Sequence, residues 1–148
     1  MPSFNDVLKL DWNESTLPPS PKVKENISEF LENGNMHWYP DVNNTKLLNK
    51  LSKYNNVPKE NIQYFASSDS LHEYIVRAFI EPEDRILIVA PTYDNFRAVV
   101  ESNGALTEFY YLDDNFNLSL EHFENYITLH EPKIVYICNP NNPTGTLY

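Results

Sequence analysis

A mostly parallel α/β sheet covered by helices on both faces, preceded by an N-terminal arm, is the fold this sequence predicts. Two observations predict it. Residues 86–90 (Ile-Leu-Ile-Val-Ala) and residues 134–138 (Ile-Val-Tyr-Ile-Cys) are unbroken apolar runs, the pattern of strands buried on both faces. Around them, strand candidates alternate with segments of helical spacing, as in a parallel sheet built from crossover units.

The elements follow in order. Residues 1–20 carry no helical period; Leu8, Leu10 and Trp12 alternate briefly with polar residues, and Pro18, Pro19 and Pro21 exclude a helix. This part reads as an extended arm that needs another surface to lie on. Val23, Ile27, Phe30 and Leu31 form one helical stripe that Gly34 ends. Residues 36–41 are an aromatic segment held extended before Pro40. Leu47, Leu48, Leu51 and Tyr54 share one face of a second helix that stops at Asn55-Asn56, and residues 62–65 are a short strand candidate. A helix with Leu71, Tyr74, Ile75, Ala78 and Phe79 opens at residues 67–70, where Ser70 and Glu73 have capping-box spacing. After the first apolar run, Pro91-Thr92-Tyr93 leads to a helix through Phe96, Val99 and Val100. Residues 106–112 are a strand, Leu120, Phe123 and Ile127 mark a helix, and residues 134–138 are the third buried strand.

Bulk properties narrow the function classes. A net charge of −10 argues against a nucleic-acid or anionic-membrane surface, while leaving room for a small anion at a helix start. The single Cys138 fits a reduced compartment rather than a disulfide or metal cluster. No apolar stretch approaches the ~20 residues of a membrane span. The start, Met1-Pro2-Ser3-Phe4, lacks the basic and apolar regions of a signal peptide. The expected location is the cytoplasm. The four His residues lack metal-ligand spacing, with His122 read as solvated surface, and Asp113-Asp114 reads as a turn. No Gly-rich nucleotide loop occurs.

Ligands of open α/β sheets bind beyond the carboxyl ends of the strands, and three segments there are chemically unusual. Ser67-Ser68-Asp69-Ser70 places hydroxyls and free amides at a helix start, a phosphate site or an ordinary cap. Tyr93 offers an aromatic face to a planar heterocycle, or is one more of ten Tyr residues. Residues 139–145 (Asn-Pro-Asn-Asn-Pro-Thr-Gly) follow the third strand directly. There Asn142 supplies a donor and an acceptor, and Asn142–Pro143 is a candidate cis peptide. The bland reading of this string is a rigid turn.

The string Pro140-Asn141-Asn142-Pro143-Thr144-Gly145 resembles the signature turn of the fold-type I pyridoxal-phosphate aminotransferases, in particular the histidinol-phosphate aminotransferase branch. The resemblance extends along nearly the whole chain. It includes Leu10-Asp11-Trp12-Asn13-Glu14-Ser15, Tyr39-Pro40-Asp41, Ser68-Asp69, Arg77-Ala78-Phe79, Pro91-Thr92-Tyr93 and Asn103-Gly104-Ala105. It implies an aspartate aminotransferase-like fold with pyridoxal 5'-phosphate as cofactor. Residues 1–60 would be the arm and helices of the small-domain and dimer-contact part, and residues 61–148 the first part of the large cofactor-binding domain. It implies that Ser68, Asp69 and Ser70 hold the phosphate, that Tyr93 stacks on the pyridine ring, and that Asn142 bonds the ring's phenolic oxygen. Tyr39 would reach the cofactor phosphate of a partner subunit in a homodimer, and Asn13 would line the substrate pocket. The reaction implied is amino-group exchange between an amino acid or phosphorylated amine and a 2-oxo acid.

Two departures from the family pattern stand out. Ser67 and Ser70 occupy positions where the family usually has Gly and an acid. A Ser at position 67 needs a negative φ. Further, the family's Schiff-base lysine, its pyridine-pairing Asp and a phosphate or substrate Arg all lie beyond the Pro-Thr-Gly turn, and no lysine here matches that motif. The resemblance therefore implies the N-terminal part of a longer enzyme, inactive by itself. The alternative from another class is a non-catalytic binding module.

Overall fold

A computed structural model describes residues 12–148. Leu8, Leu10 and Asp11 lie outside the described residues. The chain divides into two compact units, Met1–Ile62 and Gln63–Tyr148.

Among its described residues the first unit holds two helices, α1 (Pro21–Asn33) and α2 (Thr45–Asn55), and a 3-10 turn at Lys59–Asn61. Pro21 opens α1, where its missing N–H costs nothing. Gly34 ends it because the chain closes tightly: a Cβ there would lie 2.3 Å from the Phe30 carbonyl oxygen. Of the aromatic segment expected to be extended, Met36 and His37 instead form a turn, closed by the Trp38 N–H on Asn35 O at 3.0 Å. The Asp41 carboxylate accepts from the amides of Asn43 and Thr45 at 3.0 and 3.2 Å, organising the entry to α2. Both helices have the expected apolar stripes, yet neither contains a buried residue.

The second unit is a three-stranded parallel sheet in the order β2-β1-β3, formed by β1 (Arg85–Ala90), β2 (Leu106–Tyr111) and β3 (Ile134–Tyr136). Its helices are α3 (Ser68–Phe79), α4 (Asn95–Ser102) and α5 (Leu120–His130). Alternation along β1 divides the core. Ile86 and Ile88 pack with Val76, Ile80, Phe96 and Val100 from the α3 and α4 side. Leu87 and Val89 pack with Phe123 of α5. The β1–α4–β2 crossover moves one way across the sheet and β2–α5–β3 moves back past β1. Placing α4 and α5 on opposite faces lets both crossovers have the same hand.

Four further expectations are corrected. Residues 62–65 form no strand; no neighbouring strand of the described sheet supplies a ladder there, and Phe65 packs instead on Tyr74 at 5.2 Å. The buried face of α3 is His72 and Val76, continued by Ile80, whereas Tyr74 and Phe79 of the expected stripe are both 62% exposed. Contact with β1 and α4 selects the i, i+4, i+8 line over the more apolar neighbouring one. The N-cap of α3 is Ser67, whose Oγ accepts from the Ser70 N–H at 3.2 Å. Ser70 thus sits inside the first turn, and Glu73 pairs with Arg77 at 3.5 Å rather than closing a capping box. Lastly, β3 stops at Tyr136 and is only partly buried, because it is an edge of the described sheet and has no partner on its outer side.

Because both faces of β1 are covered, Ile86→Ala and Leu87→Ala are expected to destabilise the protein by about 2–5 kcal/mol each. Urea unfolding measures this. A loss below ~0.5 kcal/mol for either would show that its face is not a core.

Candidate functional site

Three segments of the second unit meet through a small set of hydrogen bonds. Asn95, the first residue of α4, donates from Nδ2 to Asp69 Oδ1 at 3.0 Å and to Tyr93 Oη at 2.8 Å. This joins the start of α3 to the segment after β1. Thr92 Oγ1 donates to Asn141 Oδ1 at 2.8 Å, and Asn141 Nδ2 donates to the Pro91 carbonyl and to Thr144 Oγ1, both at 2.8 Å. This joins the segment after β1 to the turn after β3. The three unusual segments are therefore joined by hydrogen bonds, although the first is reached from an irregular stretch and not from a strand.

Asn141 is the hub, only 4% exposed. Its backbone N–H donates to Thr146 O at 2.8 Å and its carbonyl accepts from Gly145 N at 2.7 Å. Every polar group of the residue is therefore satisfied, as burial demands. Gly145 sits at φ +72, where a side chain would be strained. The Thr144 and Thr146 hydroxyls share a short hydrogen bond. Asn142, half-buried beside the hub, precedes a cis peptide to Pro143 as expected. Ala90–Pro91 and Asn139–Pro140 are cis as well, which the sequence reading did not anticipate.

At the start of α3, Ser67 has φ −157, extended backbone that any residue adopts. Serine is thus unstrained where the family pattern has glycine, and it also supplies a cap oxygen. That cap consumes the Ser70 amide. The amides of Ser68 and Asp69 are the ones a helix start leaves for a ligand. The Ser70 hydroxyl lies 3.4 Å from Ser67 Oγ. The Tyr93 side is open, with that residue 43% exposed. Asn13 and Tyr39 belong to the other unit. Asn13 has φ +53 and is exposed, and Tyr39 is 98% exposed.

Sequence reasoning missed His72, Tyr136 and Asn95. His72 is 8% exposed, edge-on to Phe96 and Tyr136 at 5.2 and 5.6 Å, and among the described residues its buried Nδ1 has no hydrogen-bond partner. Its position one turn before Val76 on α3 was the available signal. Phe96 stacks on Tyr136 at 4.3 Å. Burial holds the His72 imidazole below its ordinary 6.5, with the Asp69 carboxylate pulling the other way. Burial pushes the Tyr136 phenol up, and Cys138, Asp69 and Tyr93 add in the same direction. Cys138 is free and half-buried, its thiol 3.4 Å from Pro140 O. Among the described residues no group of acidic, His and Cys side chains forms a metal site, and no helix is long and apolar enough to cross a membrane.

A parallel sheet covered by helices on both faces, with an Asn-Pro turn after β3, is an aspartate aminotransferase-like fold. The chain belongs to the aminotransferase class I and II family, whose model matches residues 5–148. It is 48% identical over 147 residues to the dihydroxyacetone phosphate transaminase of Campylobacter jejuni, covering 99% of this chain and 40% of that protein. It is 36% identical over 143 residues to the histidinol-phosphate aminotransferase of Ruminiclostridium cellulolyticum, covering 95% of this chain and 40% of that one. Among solved structures it resembles histidinol-phosphate aminotransferase from Sinorhizobium meliloti, in complex with pyridoxal 5'-phosphate. The TM-score is 0.80 and the identity 26%, over 89% of this chain and 35% of that one. The chain thus spans about 40% of the length of the curated relatives it matches. Family membership and the pyridoxal 5'-phosphate of that similar structure support the cofactor expected from the sequence.

A folded-state His72 held below 6.5 gives a signed pH dependence. The unfolded chain takes up a proton on His72 near pH 6.5, and the folded chain does so only at lower pH. Stability from this residue is full above about pH 6.5 and falls as the pH drops toward the folded value. His72→Phe is expected to lose less stability than the wild type between about pH 7.5 and 5.5, measured by urea midpoints. Equal losses would contradict this.

Proposed function

We propose that the protein carrying this chain is a pyridoxal 5'-phosphate-dependent aminotransferase that moves an amino group between an amino acid or phosphorylated amine and an oxo substrate. The observation that carries the reading is the joining of the α3 start, Tyr93 and the Asn141-Asn142 turn by the hydrogen bonds of Asn95 and Asn141. This donor set fits the cofactor. The amides of Ser68 and Asp69, with the Ser70 hydroxyl, hold a phosphate dianion at the positive end of α3. The exposed ring of Tyr93 lies against a planar heterocycle. Asn142 donates its side-chain amide to a phenolic oxygen. When bound, the cofactor supplies the electron sink for the reacting carbon; these residues bind it, orient it and exclude water from its edge.

We assign residues 1–60 to the arm and dimer-contact part and residues 61–148 to the first part of the large cofactor-binding domain. In a homodimer with shared sites, Tyr39 reaches the partner's cofactor phosphate and Asn13 lines the substrate pocket. The apolar stripes of α1 and α2, unburied among the described residues, support a role in contacts. The unpaired Cys138 supports a reducing compartment, the cytoplasm.

Substrate class follows from two relatives whose names both carry a phosphate ester, dihydroxyacetone phosphate and histidinol phosphate. A small phosphorylated ketone or amine is therefore our choice. The test is an amino-transfer assay on the natural gene product with glutamate and pyridoxal 5'-phosphate, comparing dihydroxyacetone phosphate with dihydroxyacetone. Transfer favouring the phosphorylated ketone by about 100-fold or more is expected, the scale of a charge-assisted phosphate contact. Equal rates would remove the substrate assignment, and absence of transfer to either ketone and to 2-oxo acids would remove the aminotransferase reading.

A further inference from the structure

Asn95 matches none of the sequence motifs, yet it bridges the start of α3 and the segment after β1. Its Nδ2 lies 3.0 Å from Asp69 Oδ1 and 2.8 Å from Tyr93 Oη. A carboxylate accepts and does not donate, so Asp69 decides which way the amide faces: nitrogen, not oxygen, toward both partners. The two amide protons are then used, one on Asp69 and one on Tyr93. The Tyr93 oxygen is consequently an acceptor in this bond, and its own proton is left over. Among the described residues no acceptor for that proton is recorded, and Tyr93 is 43% exposed.

We propose that Asn95 is a positioning residue that fixes Tyr93 as a hydrogen-bond donor to an acceptor oxygen of the bound ligand. Tyr93 is then more than an aromatic face. Its swing about χ1 is restrained at the far end of the ring, and its hydroxyl polarity is set by a charged group on another element, Asp69 at the start of α3. The ligand chemistry this selects is an oxygen with free lone pairs, on a phosphate, a carboxylate or a carbonyl, and not an N–H or O–H donor. The ligand part of the inference rests on the pyridoxal 5'-phosphate reading above. Asn95 acts through Tyr93, so it is not itself a group that touches reacting atoms.

The experiment is a double-mutant cycle on the natural gene product, read as the dissociation constant of pyridoxal 5'-phosphate by fluorescence titration. Asn95→Leu and Tyr93→Phe are each expected to weaken binding by about tenfold, the scale of one or two hydrogen bonds. The double variant is expected to lose less than the sum of the two single losses, because the part of the Asn95 effect that runs through Tyr93 is gone while its bond to Asp69 is lost in both backgrounds. Additive losses, or an Asn95→Leu variant that binds like the wild type, would overturn the proposal. A wild type that binds no pyridoxal 5'-phosphate would overturn the functional reading. The positioning claim is then decided in the unliganded protein by Tyr93 χ1 averaging from NMR scalar couplings. Asn95→Leu is expected to increase that averaging, and unchanged couplings would overturn it.

Discussion

The amide of Asn141 takes the Thr92 hydroxyl on its oxygen and gives its two protons to the Pro91 carbonyl and the Thr144 hydroxyl. The joining of the segments after β1 and β3 depends on this exchange. Pro91 and Thr92 stand directly after β1, and Thr144 stands in the turn after β3, so one side chain locks together two segments about 50 residues apart in sequence. Because Asn141 is buried, each partner withdrawn would leave a polar group unpaired at a cost of about 1–3 kcal/mol. Loop arrangements that break the set are disfavoured several times over. Asn142 is placed by being next in line.

That lock is useful only because the sheet beneath it is rigid. β1 is buried on both faces and pairs in register with both neighbours, Ile86 with Thr107 on one side and with Ile134 on the other. The carboxyl ends of β1 and β3 therefore lie side by side, where open sheets present their ligand sites. Asn95 repeats the device on the other side of Tyr93, tying α4 to the start of α3. Phe96 and Tyr136 stack, with the His72 edge against both. Burial opposes charge on His72 in that aromatic cluster.

What was legible in the sequence was what repeats locally. The β1 run, the helices from α1 to α5 and the Asn-Pro turn have periods or residue types that act over a few positions. What was not legible depends on distant partners. Residues 62–65 have strand composition but no neighbouring strand to satisfy their backbone. Tyr74 and Phe79 of the expected α3 stripe face outward, because packing with β1 and α4 centres on the His72, Val76 and Ile80 line. Ser67 rather than Ser70 caps α3, a difference of three residues that composition does not resolve. Asn141 and Asn142 are neighbours of one type, and only the contacts with Pro91 and Thr92 mark Asn141 as the hub. Asn95 and His72 gain their meaning from Asp69, Tyr93, Phe96 and Tyr136, none of which marks them in the one-dimensional pattern.

The buried Asn141 amide, not the backbone of the turn alone, holds the segments after β1 and β3 in the arrangement proposed to bind the cofactor. Replacement with a side chain of similar size, Asn141→Leu, tests it most directly. In the natural gene product this variant is expected to bind pyridoxal 5'-phosphate at least tenfold more weakly by fluorescence titration, the scale of hydrogen bonds lost from a buried amide. A variant with wild-type affinity for pyridoxal 5'-phosphate would contradict the account.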